Sequence, residues 1–161
     1  MLQSLSKWLL YKRMGWKKDV RFTLPNKAII CLAPHTSNWD FIIGQLYARA
    51  EGLHSNFLMK KEWFVWPFGW MFRKLGGIPV WRDKHTSMTD RLAEYAMRAD
   101  SFQLCVTPEG TRSLNAEWKK GFYYIAMKAK LPIFLYGVDF DQKMIVCSKV
   151  ITPTGDIEKE L

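Results

Sequence analysis

Three cysteines, three histidines and no long apolar run set the first limits on this 161-residue chain. Cys31, Cys105 and Cys147 are odd in number and far apart, and each stands in an apolar run. They read as buried thiols of a reducing cytoplasm rather than a disulfide framework. His35, His54 and His85 gather no Cys, Asp or Glu at metal-ligand spacing, so no metal is expected. No stretch reaches the ~20 apolar residues of a spanning helix. The richest, Trp63 to Phe72, is half that length and carries Pro67. The amino terminus lacks the apolar core and small-residue cleavage site of a secretory signal. Internal repeats and low-complexity tracts are missing too. Acidic residues are scarce at the start: residues 1–30 hold Asp19 alone against seven Lys and Arg.

That imbalance puts +6 of the chain's formal +9 into the first thirty residues. An end this basic seeks a polyanion, either a nucleic acid or an anionic membrane surface. Trp8, Tyr11 and Trp16, interleaved with Leu5, Leu9 and Leu10, suit a helix lying in a bilayer interface. The competing reading is a helix docked on its own sheet. Nucleic acid is not expected as a partner, because no reading motif accompanies the charge. The length is that of one domain, with an apolar fraction of 48% that suits a packed core.

Residues 28–33, Ala-Ile-Ile-Cys-Leu-Ala, have the length of a strand, and Pro34 stops them. Thr36, Ser37 and Asn38 are N-cap types ahead of Phe41, Ile42, Ile43, Leu46 and Tyr47, so a helix starts there and runs to about Ala50. His35 therefore stands at the carboxyl end of a strand, the edge at which open α/β sheets bind ligands. Asp40 lies in the first helical turn. From there its carboxylate can hold one ring nitrogen of His35 and leave the other as a base. Ser37-x-x-Asp40 is equally a capping box, in which the carboxylate only satisfies a backbone N–H. A second strand, Gln103 to Thr107, ends on Pro108-Glu109-Gly110-Thr111-Arg112, a polar turn at a second carboxyl edge.

Three segments, His35-x-x-x-x-Asp40, Gly76-Gly77-Ile78-Pro79-Val80-Trp81-Arg82 and Glu109-Gly110-Thr111-Arg112, in this order, resemble the glycerolipid acyltransferases. The resemblance runs from about Ala28 to Val138, with Pro34 where the family usually has Asn and Leu135 where it usually has a second proline. It implies acyl transfer from acyl-CoA or acyl-carrier protein to lysophosphatidic acid or a related glycerol-phosphate lipid, in phospholipid biosynthesis and without a cofactor. It also implies His35 and Asp40 as the catalytic pair, with Arg82, Glu109, Gly110, Thr111, Arg112 and Lys60 around the acceptor. Without it, Arg82 reads as an ion pair with Asp83, Lys60 as a solvated strand end and Glu109 to Arg112 as a plain turn.

The rest of the chain fits one mainly parallel α/β sheet flanked by helices. Residues 1–27 are expected as a basic, amphipathic membrane-interface segment and residues 28–161 as the acyltransferase domain. Strands are expected at Phe57–Met59, Ile78–Trp81, Pro132–Phe140 and Met144–Val150, and helices at Thr89–Ala99, capped by Ser87, and Trp118–Lys130. Lys17 to Lys27 reads as an irregular or extended connector. Trp63 to Phe72 is either core or an exposed apolar wall, and its tryptophan content favours the wall. Lys119 and Lys120, at a helix start, suit a phosphate. The expected location is cytoplasmic, peripheral on the inner face of the membrane. A non-catalytic lipid-binding domain of the same fold is the alternative.

Overall fold

The computed structural model describes residues 1–80, 87–110, 113 and 116–161. Among the described residues seven strands, β1 (Lys17–Val20), β2 (Lys27–Leu32), β3 (Asn56–Lys60), β4 (Gly77–Val80), β5 (Phe102–Val106), β6 (Ile133–Asp139) and β7 (Met144–Ile151), form one sheet in the order β1-β7-β6-β2-β5-β3-β4, and every pairing there is parallel except that of β6 with β7. β2 (Lys27–Leu32) is central, and its near-continuous apolar sequence follows from burial on both faces. Ile29 and Cys31 point to one side, where Leu92 and Ala96 of α4 (Met88–Arg98) and Phe122 and Ile125 of α5 (Gly121–Ala129) pack on them. Ala28 and Leu32 point to the other, against Ile43 and Tyr47 of α2 (Asn38–Glu51) and Phe134 of β6 (Ile133–Asp139). The period of two along β2 thus divides the core into two layers.

β5 (Phe102–Val106) returns between β2 and β3 (Asn56–Lys60), with β4 (Gly77–Val80) outside β3. The chain leaves β2 for α2 on one face and leaves β5 for α5 on the other. This reversal places the loops Pro34–Ser37 and Thr107–Gly110 side by side at the carboxyl edge, the crevice where such sheets take ligands.

The amino terminus is docked. α1 (Leu2–Lys7) continues as a wider π-helical segment, Trp8–Arg13, that buries Leu10, and Trp16 follows into the α2-side core, edge-to-face with Phe140. Leu2, Leu5, Trp8 and Leu9 stay exposed. The docked reading holds for the face that carries Leu10 and Trp16, and the face with Leu2, Leu5, Trp8 and Leu9 is left uncovered. The expected connector forms β1 (Lys17–Val20), an edge strand parallel to β7 (Met144–Ile151). Its charged sequence carries no alternation to announce it, since its residues are almost all exposed.

α3 (Phe68–Lys74) follows Pro67, and Trp63, Trp66, Phe68 and Trp70 are exposed, whereas Phe64 and Phe72 turn inward onto each other. Most of this stretch is therefore exposed rather than core. Ser87 starts α4 without capping it: its hydroxyl meets Thr89, and Asp90 pairs instead with Lys128 of α5 at 2.7 Å. α6 (Ile157–Glu160) ends the chain, tied to α5 by the Tyr123 hydroxyl donating to Glu160. Among the described residues no helix is long and apolar enough to cross a membrane.

Candidate active site

Where β2 stops at Leu32, a cis Ala33–Pro34 bond turns the chain into the loop that carries His35. Ser37, in extended conformation, then begins α2 and accepts from the Trp39 N–H at 3.2 Å. Asp40 is 1% exposed. A carboxylate this deep needs donors, and its Oδ2 accepts the backbone N–H groups of Thr36 at 2.7 Å and Ser37 at 2.9 Å. The positive end of the helix dipole adds to their effect. Asp40 thus completes the capping box, and the same oxygen stands 3.0 Å from His35 Nδ1. The capping reading holds, and the oxygen that caps the helix is also the one that stands beside the imidazole.

The His35–Asp40 pair is within ion-pair reach but off the line of a straight N–H···O bond. Neither His35 Nδ1 nor Asp40 Oδ1 has a hydrogen-bond partner among the described residues. Unsatisfied buried polar atoms are rare, and apo catalytic sites often hold such pairs loosely until substrate draws them together.

The β5 loop reaches the same place. Glu109, 2% exposed, accepts the backbone N–H of His35 through Oε2 at 2.9 Å, so one loop's carboxylate fixes the other loop's backbone. Burial, with Cys105 and Glu109 nearby, pushes the Cys31 thiol up to about 12, and burial does the same to Cys105. Neither thiol forms a thiolate at neutral pH, so neither is suited to nucleophilic attack. Gly110 has φ +65°, and a Cβ there would meet the Lys119 side chain at 2.6 Å. The Lys119 chain thus lies over the Gly110 backbone.

These groups line a cavity of about 880 Å³. Its walls come from both faces of the sheet. Leu32, Phe41, Gly44 and Phe57 line it from the α2 side, and Leu92 and Phe122 line it from the α4/α5 layer. His35, Asp40, Thr107, Pro108, Gly110 and Lys119 also stand in its walls. Of the residues expected at the site, the fold brings together His35, Asp40, Glu109 and Gly110. Lys60 ends β3 at the same edge, exposed and outside the cavity wall. Arg82, Thr111 and Arg112 lie outside the described residues, as do Trp81 and His85. Leu135 packs within β6 against the α4/α5 layer, away from the cavity. Gly44, a glycine inside α2 that sequence reading did not single out, also lines the cavity.

A family model described as Acyltransferase matches residues 17–136, a span that contains both loops and every strand from β1 to β5. The structure is similar to that of the 1-acyl-sn-glycerophosphate (LPA) acyltransferase PlsC from Thermotoga maritima. The TM-score is 0.65 at 18% identity, over 99% of this chain and 71% of that one, a likeness that shows the fold. No curated protein matches the chain. The family match spans most of the sequence and includes the His35 and Glu109 loops, and the chain belongs to the acyltransferase family.

Proposed function

We propose that the protein transfers a fatty acyl group from acyl-CoA or acyl-carrier protein to the free hydroxyl of lysophosphatidic acid or a closely related glycerol-phosphate lipid. The observation that carries this reading is the large, mostly apolar cavity, lined from both layers of the core, with His35 and Asp40 in its wall. A soluble glycerol phosphate brings no hydrocarbon of its own. An acceptor that already bears a chain needs apolar wall beyond that taken by the donor's chain.

In this mechanism the unprotonated His35 takes the proton of the acceptor hydroxyl as its oxygen attacks the thioester carbonyl. The tetrahedral intermediate collapses, the C–S bond breaks, and the thiolate leaves and recovers the proton. Asp40 fixes the ring and stabilises the imidazolium through its buried charge. No acyl-enzyme forms. Lys119 beside Gly110, and by resemblance Arg82, Thr111 and Arg112, hold the acceptor's phosphate, with Lys60 farther out. Glu109 and Gly110 support the glycerol.

The acceptor is a membrane lipid, so the protein works peripherally on an anionic membrane surface, the cytoplasmic face. The exposed Leu2, Leu5, Trp8 and Leu9 beside Lys7, Lys12 and Arg13 support this placement. The test is an acceptor panel with labelled acyl-CoA: lysophosphatidate should be acylated, and glycerol-3-phosphate much more slowly. No thioester consumption with any acceptor would leave a lipid-binding domain instead.

A further inference from the structure

Exposed apolar side chains normally stand singly, but Trp63, Val65, Trp66, Phe68, Trp70 and Met71 crowd into nine residues. The segment is held down from beneath. The Phe64 and Phe72 rings meet at 6.1 Å, and Phe64 Cζ and Phe57 Cε2 lie 3.2 and 3.3 Å from where a Cβ at Gly77 would stand. α3 presses on Phe64 in turn: a Cβ at Gly69 would lie 2.4 Å from the Phe64 carbonyl oxygen, so only glycine fits. With Gly69 and Phe72 inward, the helix turns Trp70, Met71 and Lys74 outward. Trp66 is 91% exposed. Aromatic surface fixed in this way marks a face that another body covers.

Where α2 and α3 end and lead into β3 and β4, a hollow of about 330 Å³ is lined by Arg49, His54, Arg73 and Lys74. Among the described residues no Asp or Glu stands in its wall, and none pairs with Arg49, Arg73 or Lys74. A cation in the last turn complements its own helix dipole, which accounts for each of the three singly. It does not account for two helices delivering all three into one hollow, where like charges repel and an anion is favoured. Lys74 joins this hollow to the aromatic wall: it lines the hollow while its Nζ stands 4.7 Å from the centroid of the Trp70 ring.

Rings with a polar edge beside Lys and Arg suit a bilayer interface, the rings at headgroup level and the cations on phosphates. The wall also borders the candidate active site, since Trp63 lines the cavity that His35 and Asp40 share. We propose that this face is the protein's contact with an anionic phospholipid bilayer. Trp66, Phe68 and Trp70 enter the interface, and the hollow of Arg49, Arg73 and Lys74 holds a lipid phosphate. The inference deepens the lipid-acceptor reading and rests on it.

Cosedimentation of the full chain with vesicles tests this, using phosphatidylcholine alone and phosphatidylcholine with an equal part of phosphatidylglycerol. Trp66→Ser/Trp70→Ser should lower affinity for both compositions by at least about 10-fold. Arg49→Gln/Arg73→Gln should lower affinity for the anionic vesicles by about 30-fold, the effect of two basic residues beside such a surface, and leave binding to phosphatidylcholine alone unchanged. Should the tryptophan pair fail to fold, Trp66→Ser alone carries the comparison, because that ring is almost wholly in solvent.

Wild-type affinity in both variants overturns the surface, the more so if Leu5→Ser/Leu9→Ser abolishes binding and names the amino-terminal helix instead. Loss in the tryptophan variant without loss in the arginine variant overturns the phosphate site. A wild type that binds neither vesicle overturns both and leaves the wall to a protein. Binding is read without turnover, so the two readings fail separately. A chain that binds through these residues and acylates nothing keeps the surface and loses the acyl-transfer reading. One that acylates vesicle-borne lysophosphatidate at equal rates in every variant overturns the surface alone.

Discussion

The two ends of α2 are built from similar residues and are left in opposite states. At its carboxyl end Glu51 accepts from the Tyr11 hydroxyl and from Lys18 Nζ, both at 2.6 Å, while Gln3 donates to the Ala50 carbonyl. Burial raises the Glu51 carboxyl, but the bonds from Lys18 and Tyr11 outweigh it and hold the group below its ordinary value. At the amino end Asp40 is deeper, yet His35 Nδ1 and Asp40 Oδ1 have no hydrogen-bond partner among the described residues. The first end is a fastening, tying the amino-terminal segment and β1 to the domain. The second keeps unspent hydrogen-bonding capacity beside a cavity, which is costly unless a ligand uses it.

Substitutions should separate the two ends in kind as well as size. His35→Ala should lower turnover by ~10²–10⁴-fold, the scale of a positioned general base, with little change in melting temperature. Asp40→Asn keeps an acceptor for the Thr36 and Ser37 N–H groups and removes the charge that steadies the imidazolium. Turnover should fall about 100-fold, less than for His35→Ala, while the protein stays folded. If this variant loses only thermal stability, measured by calorimetry, Asp40 is a cap and nothing more.

Glu109→Ala leaves the His35 N–H without its acceptor. It should cost about 1–3 kcal/mol of stability along with activity, because the same bond holds the loop that carries His35. Glu109→Gln retains an acceptor and should recover most of the stability, as paired melting and rate measurements would show. The smallest effect belongs to the fastened end. Glu51→Gln should cost about 1 kcal/mol, a fall of about 2–4 °C in Tm, with activity unaltered. A carboxyl held below its ordinary value stabilises the fold above ~pH 4.3 and loses that contribution as pH falls through its lowered value. The Tm gap between wild type and Glu51→Gln should therefore be full at neutral pH and close below about pH 4.

What could be read beforehand follows from how local each signal is. The strand, proline and N-cap order around His35 is contained within about a dozen residues, so the edge and its helix were legible. So was the pairing of the His35 and Glu109 loops, once two strand ends carried polar turns. β1 was not, since Lys17 to Val20 is charged and finds its partner, β7, from the far end of the chain. The Ser87 cap failed because Asp90 meets Lys128 across the gap between two helices, a contact that no local pattern encodes. Glu109 was expected to accept from glycerol hydroxyls or from backbone N–H groups; that the N–H is the one of His35 depends on β5 returning beside β2.

The central claim is that the loose end of α2 is a catalytic base and its buried carboxylate, acting directly on an acceptor hydroxyl. Thiol release from palmitoyl-CoA, followed with and without lysophosphatidate in the wild type and in His35→Ala, tests it most directly. The account predicts release that depends on acceptor in the wild type and a loss of ~10²–10⁴-fold in a folded His35→Ala protein. Acceptor-dependent release at the wild-type rate in His35→Ala would contradict it.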